Sequence, residues 1–202
     1  MSGRGVTKRS FGMEGALEDI RNAQSLLRHI PKGAEKALAR AVNRTLTGTR
    51  AEAVRQVRGK FIVKAQTVRD TMEIRKASYT KPRGFLVSRG RPLSLTRFKV
   101  TPKAPKSTRG KSVQSRPRVR LSVTRGKQTT LQRAFLARMN SGVGLFQRKG
   151  RGRRAPIRKL YGPSVPQMLH HDRIAEEIET TTAERMKKEL NHQISFLLEG
   201  GK

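Results

Sequence analysis

The sequence contains no cysteine and no tryptophan, and aromatic residues make up only 4% of its 202 residues. Without cysteine the chain forms no disulfide, binds no metal through thiolates and has no cysteine nucleophile. Hydrophobic residues account for 34%, which is low for a core of this size. We therefore expect a modest core with long segments that face solvent or a partner.

Long apolar segments are also missing. No stretch approaches the roughly 20 consecutive apolar residues that cross a membrane. The N-terminal stretch MSGRGVTKRSFGMEG has basic residues but lacks the apolar segment of a secretory signal. We expect a soluble protein without a secretion signal and without a membrane partner.

Acidic residues are absent from the middle of the chain. Residues 74–171 contain 26 Lys and Arg and no Asp or Glu, whereas residues 1–73 have a net charge of +8 and residues 172–202 of −2. Such a segment repels copies of itself unless an outside polyanion compensates its charge. A solvated, solubilising surface is one interpretation, but the length of the segment favours a nucleic-acid partner.

Catalytic and metal-binding patterns are lacking as well. His170, His171 and Asp172 are consecutive and therefore point to different sides of a helix, so we favour a histidine pair at a helix start over a metal site. Asp70 and Glu73 are more typical of ion-pair partners for the many arginines than of a general acid and base. The glycine-rich stretches RKGRGRR and SGVG lack P-loop spacing. We predict a binding or structural protein with no enzyme activity, metal or cofactor.

Helical periodicity dominates residues 15–72. It predicts a first helix that Pro31 ends, and a long second helix, with an Ala- and Val-rich face, that ends before Gly59. Gly48 lies within this second helix, where we expect a kink or short break. The stretch VKAQTVRDTM predicts one more short helix.

Alternating apolar and polar residues follow over residues 73–160, in FLVSRG, LSLTRFKV, VRLSVTRGKQTTL, AFLARM and GLFQRK. They predict four or five antiparallel strands that form a sheet with one apolar and one strongly basic face. Residues 89–92 are typical of a hairpin turn between the first two strands. In the third stretch the alternation assigns Val119, Leu121 and Val123 to the apolar face and Arg118, Arg120 and Ser122 to the basic face.

The stretch Thr101–Arg118 interrupts this alternation with a long basic loop. It is rich in Pro, Lys and Arg and has a single Val, so it cannot contribute to a core. We expect it to become ordered only within an assembly, because its ordering entropy is not offset by burial.

The C-terminal part predicts an amphipathic helix from about Pro166 to Gly200. Packing within the subunit and a subunit interface are both open for its apolar stripe, which consists of Ile174, Ile178, Met186, Leu190, Ile194 and Leu197. The whole chain is predicted as one α+β domain with a basic arm (1–14), a helical region (15–72), a basic sheet (73–160), and a docking segment with the C-terminal helix (161–202).

Three stretches together resemble the minor tail protein Z family of long-tailed bacteriophages and prophages. They are KALARAVNRTLTGTRAEAVRQV with the following VKAQTVRDTM, then AFLARMNSGVGLFQRKG, and then APIRKLYGPSVPQML. The resemblance covers roughly Lys32 to Leu169, and its most specific part is the last stretch. The basic loop Thr101–Arg118 departs from the family pattern.

The resemblance implies a structural virion protein of the neck, where proteins of this kind are grouped with tail-completion proteins and related folds form rings, commonly six-membered. The partners it implies are other copies in a hexameric ring, connector or head-completion proteins, tail-tube or tail-terminator proteins, and packaged double-stranded DNA. It places the chain in the virion, and in the host bacterial cytoplasm during assembly.

Resemblance and charge together assign two sets of residues. Contact with DNA phosphates is expected for Lys103, Lys106, Arg109, Lys111, Arg148, Lys149, Arg151, Arg153 and Arg154. Docking to a neighbouring subunit or ring is expected for Leu160, Tyr161, Pro163, Val165, Pro166 and Met168. The alternative for Leu160, Val165 and Met168 is that they cover the subunit's own sheet.

A second functional class remains open, namely a ribosomal-type or nucleoid protein that binds RNA or DNA. The acidic, amphipathic C-terminal helix and the scarcity of aromatic residues for base stacking argue against it. A nuclease or integrase ranks last, because the basic region has no acidic cluster that would hold a metal.

Overall fold

The structure is a computed structural model that describes residues 7–13, 17–27, 29–30, 32–105, 118–139, 142–150 and 156–200. The helices are α1 (Leu17–Leu26), α2 (Gly33–Lys60), α3 (Ala65–Arg69), α4 (Val165–Leu169) and α5 (Asp172–Leu198). The strands are β1 (Thr7–Met13), β2 (Met72–Arg75), β3 (Gly84–Gly90), β4 (Lys99–Thr101), β5 (Val119–Ser122), β6 (Thr129–Leu131), β7 (Ala134–Met139), β8 (Gly142–Arg148) and β9 (Ile157–Lys159). The predicted α+β class, with a long second helix and a C-terminal helix, is confirmed.

Helix α2 lies between a sheet and helix α5. On one side, the backbone of Gly84 in β3 approaches the side chain of Leu46. On another side, the hydroxyls of Thr49 and Thr182 in α5 are 2.8 Å apart. The predicted stripe of α5 is buried and belongs to the subunit's own core: Ile174, Ile178, Met186, Leu190, Ile194 and Leu197. The predicted face of α2 is buried as well, except for the half-buried Ala34 at its start: Leu38, Ala41, Val42, Thr45, Leu46, Ala53, Val54 and Val57.

The break predicted at Gly48 is absent, since α2 continues from Gly33 to Lys60. The glycine has a packing role instead, because a Cβ on Gly48 would lie 2.6 Å from the Cδ of Arg185 in α5. At the C-terminal end of α2, the Nε of Arg125 donates a hydrogen bond to the carbonyl of Arg58 at 2.8 Å. A cation at this end also interacts favourably with the helix dipole.

We expect Gly84→Ala to lower the free energy of unfolding by about 1–3 kcal/mol, the usual cost of overpacking. The new Cβ would lie 2.5 Å from Leu46 Cδ1 and 3.2 Å from the carbonyl oxygen of Arg75, and that backbone atom cannot move cheaply. Gly48→Ala is the matched control, because the three atoms nearest to its new methyl group all belong to the flexible side chain of Arg185, and the substitution gains about 1 kcal/mol of helix propensity. Urea denaturation of both variants measures the difference, and an equal loss in the two would contradict this account of the packing.

The strands form three antiparallel sheets of three strands each, ordered β1-β3-β2, β4-β5-β6 and β7-β8-β9. The prediction of a single sheet with four or five strands is therefore wrong. Strand β1, within the predicted basic arm, pairs along the whole of β3, from Thr7 opposite Gly90 to Met13 opposite Gly84. The prediction of a basic arm rests on its charge alone. It does not include a strand, because β1 is formed by pairing with the edge of β3, about 80 residues away in the chain.

The predicted hairpin between FLVSRG and LSLTRFKV is also wrong. Strand β3 pairs with β1 and β2, while Leu95–Arg97 forms a 3-10 turn before the short strand β4. Leu95 and Phe98 are both buried. In a 3-10 turn, residues three apart lie on the same side, so both side chains can be buried together. In a strand, the same two side chains would point to opposite faces of the sheet.

Candidate nucleic-acid interface and docking segment

The acid-free segment 74–171 exposes its positive charge. Every Lys and Arg that the structure describes in this segment is exposed, except Lys159, which is half-buried. Because the segment contains no carboxylate, this charge is compensated only by groups from elsewhere. An accumulation of one sign on a folded surface attracts polyanions over distances of about a Debye length.

The sheet β4-β5-β6 gathers part of this charge on one face. Thr101 lies opposite Arg120, and Arg120 lies opposite Thr130, so the three side chains share a face. Lys99 and Arg118, each two residues along the chain from one of these, lie on the same face. All five residues are exposed. We call them the basic sheet face: Lys99, Thr101, Arg118, Arg120 and Thr130.

The opposite face of this sheet points into the core. Val100, Val119 and Leu121 are buried there. The predicted alternation is thus confirmed for residues 119–121, with apolar residues inward and Arg120 outward. Beyond them it fails, because Ser122, predicted for the basic face, is buried and Val123 is half-buried. The sheet therefore offers three cations and two hydroxyls on a backbone held by its own core, an arrangement suited to phosphate oxygens.

The basic loop leaves from this same sheet, because β4 ends at Thr101 and β5 begins at Val119. Lys103, predicted to contact DNA, is exposed just after β4. Lys106, Arg109 and Lys111 lie outside the described residues. Lys99, Arg118 and Arg120 are not among the contacts expected from the sequence, although the alternation assigns the two arginines to the basic face.

The second cluster of predicted DNA contacts lies at the end of β8. Arg148 and Lys149 are both exposed. The guanidinium of Arg148 stands over the ring of Phe135, 5.5 Å from its centroid, and the backbone N–H of Lys149 donates to the carbonyl of Pro156 at 2.9 Å. The remaining predicted contacts, Arg151, Arg153 and Arg154, lie outside the described residues.

The predicted docking segment is bound to two other parts of its own chain. The N–H of Leu160 donates to the carbonyl of Leu145 in β8, and the N–H of Gly162 donates to the carbonyl of Leu93, each at 2.8 Å. Gly162 is required by a close approach, since a Cβ there would lie 2.7 Å from Cε2 of Phe98. The shape of this segment is thus explained within the subunit.

Helix α4 continues the segment and begins with a capping box. The Ser164 side chain accepts a hydrogen bond from the Gln167 N–H at 3.4 Å, and the Gln167 side chain accepts one from the Ser164 N–H at 2.9 Å. The proline two residues after the cap, Pro166, fits the first turn, where its missing N–H has no helical partner.

Three of the six predicted docking residues fill the subunit's own core. Val165, Pro166 and Met168 are buried, with Val165 and Met168 at 0% and 1% exposure. Val165 and Met168 therefore cover their own subunit, as the alternative interpretation states, and Leu160 packs against the same core. Leu160, Tyr161 and Pro163 are half-buried, and docking through them stays a prediction.

The histidine pair separates α4 from α5, so the single predicted C-terminal helix is interrupted there. His171 occupies the N-cap position of α5 but its side chain does not cap the helix; its Nε2 forms a hydrogen bond with the Nζ of Lys60 instead. Within the described part of the chain, no three His, Asp or Glu side chains are grouped so as to hold a metal. No described helix is both long and apolar enough to span a bilayer.

Comparison with known proteins gives one family. The family model described as prophage minor tail protein Z (GPZ) matches residues 13–199. The match extends beyond the stretches that carry the resemblance in the sequence and includes helix α5. Searches of curated proteins and of solved structures found no match.

Proposed function

The chain belongs to the prophage minor tail protein Z family, and from this premise we propose that it forms a ring at the head-proximal end of the tail, around the path of the DNA. Membership in the family makes it a structural protein of the phage tail and a component of the virion. The ring, proposed as a hexamer, joins the tail to the head connector. Its neighbours are connector or head-completion proteins on one side and tail-tube or tail-terminator proteins on the other.

The observation that carries the DNA part of this proposal is the exposure of the cations in the acid-free segment. Six copies with a net charge of +32 each carry roughly 190 positive charges. Duplex DNA carries one negative charge per about 1.7 Å of its axis, which makes it a matching counter-charge. Without such a polyanion, the basic segments of neighbouring copies would repel one another.

The chemistry of the exposed groups favours phosphate contacts without base readout. Lys99, Arg118 and Arg120 on the basic sheet face present ammonium and guanidinium groups, and Thr101 and Thr130 add hydroxyl donors. These groups bind backbone oxygens of any sequence. A protein around the end of a packaged genome needs this indifference to sequence.

The purified chain tests the proposal by native mass spectrometry with and without a short DNA duplex. We expect masses of a six-copy ring in the presence of duplex, because the duplex removes the repulsion between copies. Duplex binding should weaken steeply with salt, since each phosphate contact adds about 0.9 to the slope of log K against log salt.

Phage particles provide the second test. A labelled chain should be found between the head connector and the tail tube, and particles made without it should fail to join heads to tails. Monomers that purify with ribosomal RNA and are absent from particles would instead support the ribosomal-type or nucleoid alternative.

A further inference from the structure

The third sheet, β7-β8-β9, has one face toward the core and one away from it. Leu145 is part of the core, and Leu136 and Leu160 pack against that core from the same side of the sheet. The residues opposite one another on the other side follow from the register, with Phe135 beside Phe146, Phe146 beside Lys159, and Arg148 beside Ile157. We call these residues, with Met139 and Tyr161, the outer face of the third sheet: Phe135, Met139, Phe146, Arg148, Ile157, Lys159 and Tyr161.

This outer face is apolar for a surface of such a basic protein. Met139 and Ile157 are exposed at 41% and 37%, Phe135 and Tyr161 are half-buried, and Phe146 itself is buried. The rings of Phe135 and Phe146 lie 6.2 Å apart, and Phe146 folds over Gly144, where a Cβ would lie 2.7 Å from its Cε2. Aromatic residues and Met are enriched at the centres of protein–protein interfaces.

Cations stand among these apolar groups. Arg148 lies over the ring of Phe135, and the Nζ of Lys159 is 5.9 Å from the ring centroid of Tyr161. An apolar centre with a basic rim fits a partner surface that is acidic and helical or flat. Duplex DNA fits it less well, because stacked base pairs do not offer an apolar surface to Met and Ile side chains.

The chain itself carries an acidic helical surface of this kind. Residues 172–184 of α5 contain five acidic residues and one cation. Asp172, Glu176 and Glu184 are exposed and follow four- and eight-residue steps, which places them on one face. The buried residues Ile174 and Ile178 face α2, so the acidic face points away from the subunit.

A neighbouring acid already serves the subunit. The pKa of Arg55 in α2 is raised, mainly by the hydrogen bond and the charge of the buried Glu52. The charge of Glu177 raises this pKa further. Asp172, Glu176 and Glu184 are therefore the members of the acidic face on which a contact between copies is best tested.

We propose that the outer face of the third sheet docks the acidic face of α5 from a second copy of this chain. The inference rests on the proposed ring and names the surfaces that join its subunits. Burial of Phe135, Met139 and Ile157 supplies the affinity, while Arg148 and Lys159 opposite the acids set the orientation. Arg148, expected from the sequence to contact DNA, is thereby assigned to the contact between copies instead. Because the two surfaces differ, each copy uses one with the preceding neighbour and the other with the following one, and the contact repeats around a closed ring.

Charge exchange tests the contact. The sheet variant is Arg148→Glu with Lys159→Glu, and the helix variant is Glu176→Lys with Glu184→Lys. With duplex present, each variant alone is expected to need at least a tenfold higher concentration for half-assembly than the wild type. An equimolar mixture should assemble again, because every junction then pairs opposite charges, either native or exchanged. Native masses of the mixture should show three copies of each variant.

Matched controls separate this contact from general charge effects. Lys64→Glu with Arg69→Glu makes the same change in charge on exposed residues in and beside α3 and should leave assembly unchanged. Ile157→Asp keeps Arg148 and Lys159 but removes apolar contact, and it should also prevent assembly. Thermal unfolding shows whether each variant is folded.

The outcomes distinguish this inference from the proposed ring. Assembly of either charge variant at wild-type concentrations, or a mixture that does not assemble although both variants are folded, would overturn the docking of these two faces. A wild type that stays monomeric with duplex would overturn the ring itself. Recovery in the mixture, with the α3 control unaffected, supports the contact.

Discussion

Val165→Asp is expected to unfold the subunit. The Val165 side chain is completely buried at the start of α4, so the substitution places a carboxylate where no water reaches it. An uncompensated buried charge costs about 3–5 kcal/mol, a large part of the 5–15 kcal/mol that stabilises a typical domain. Urea denaturation followed by circular dichroism should show a midpoint shifted to low denaturant or no folded baseline.

Tyr161→Ala is the control from the same segment. Tyr161 is half-buried and stands beside Lys159 on the outer face of the third sheet. Its loss should leave a cooperative unfolding transition, so any defect in assembly reports on docking. If Val165→Asp proved as stable as the wild type, the segment would not be part of the core, and docking through Val165 would regain support.

The docking segment shows why a correct observation in the sequence led to an incomplete interpretation. The change at Pro156 from clustered cations to an apolar, proline-rich stretch is real. The stretch also contains Ser164 and Gln167 at capping-box spacing, which indicates a helix start and hence a structural use for Pro166. A partner was inferred from residues whose shape serves the subunit.

The long helices were predictable because their signals are local. The stripes of α2 and α5 persist over 28 and 27 residues, and burial along one side follows directly from such periodicity. The packing of Gly48 against Arg185 was not predictable, because it joins residues of two different helices.

The positions of several strands were predictable from the sequence, but which strands pair with each other was not. The alternation in β5 and β7 is visible locally, whereas the division into three sheets depends on contacts between distant segments. Strand β1 illustrates the limit, because TKRSFGM lacks clear alternation and is a strand through its pairing with β3.

The sign of the surface was predictable from composition, and the outward direction of Arg118 and Arg120 from the alternation, but the cross-strand neighbours of these arginines were not. Counting charges finds the acid-free segment and cannot distinguish Arg120 from any other arginine in it. The register of β4-β5-β6 is what brings Arg120 beside Thr101 and Thr130, with Lys99 and Arg118 along the same face. Position within the sheet therefore makes a testable difference between cations of equal charge.

Replacing Lys99, Arg118 and Arg120 together with Ser is expected to weaken duplex binding strongly at low salt. The plot of log K against log salt has a negative slope, and losing three phosphate contacts makes it shallower by about 2.7, at about 0.9 per contact. If the three contacts contribute nothing to affinity at 1 M salt, the loss of affinity is about three-thousandfold at 50 mM and about eightyfold at 200 mM. Fluorescence anisotropy with a labelled duplex over this salt range measures both the affinity and the slope.

The matched control for this prediction is Arg75→Ser, Lys76→Ser and Lys81→Ser, three exposed cations of the same acid-free segment in and after β2. It removes the same net charge but leaves the basic sheet face intact. Because specific contacts release counterions locally, the control should retain a slope close to that of the wild type. Equal losses in the two triple variants would mean that DNA senses only total charge, and the basic sheet face would then have no special part in binding.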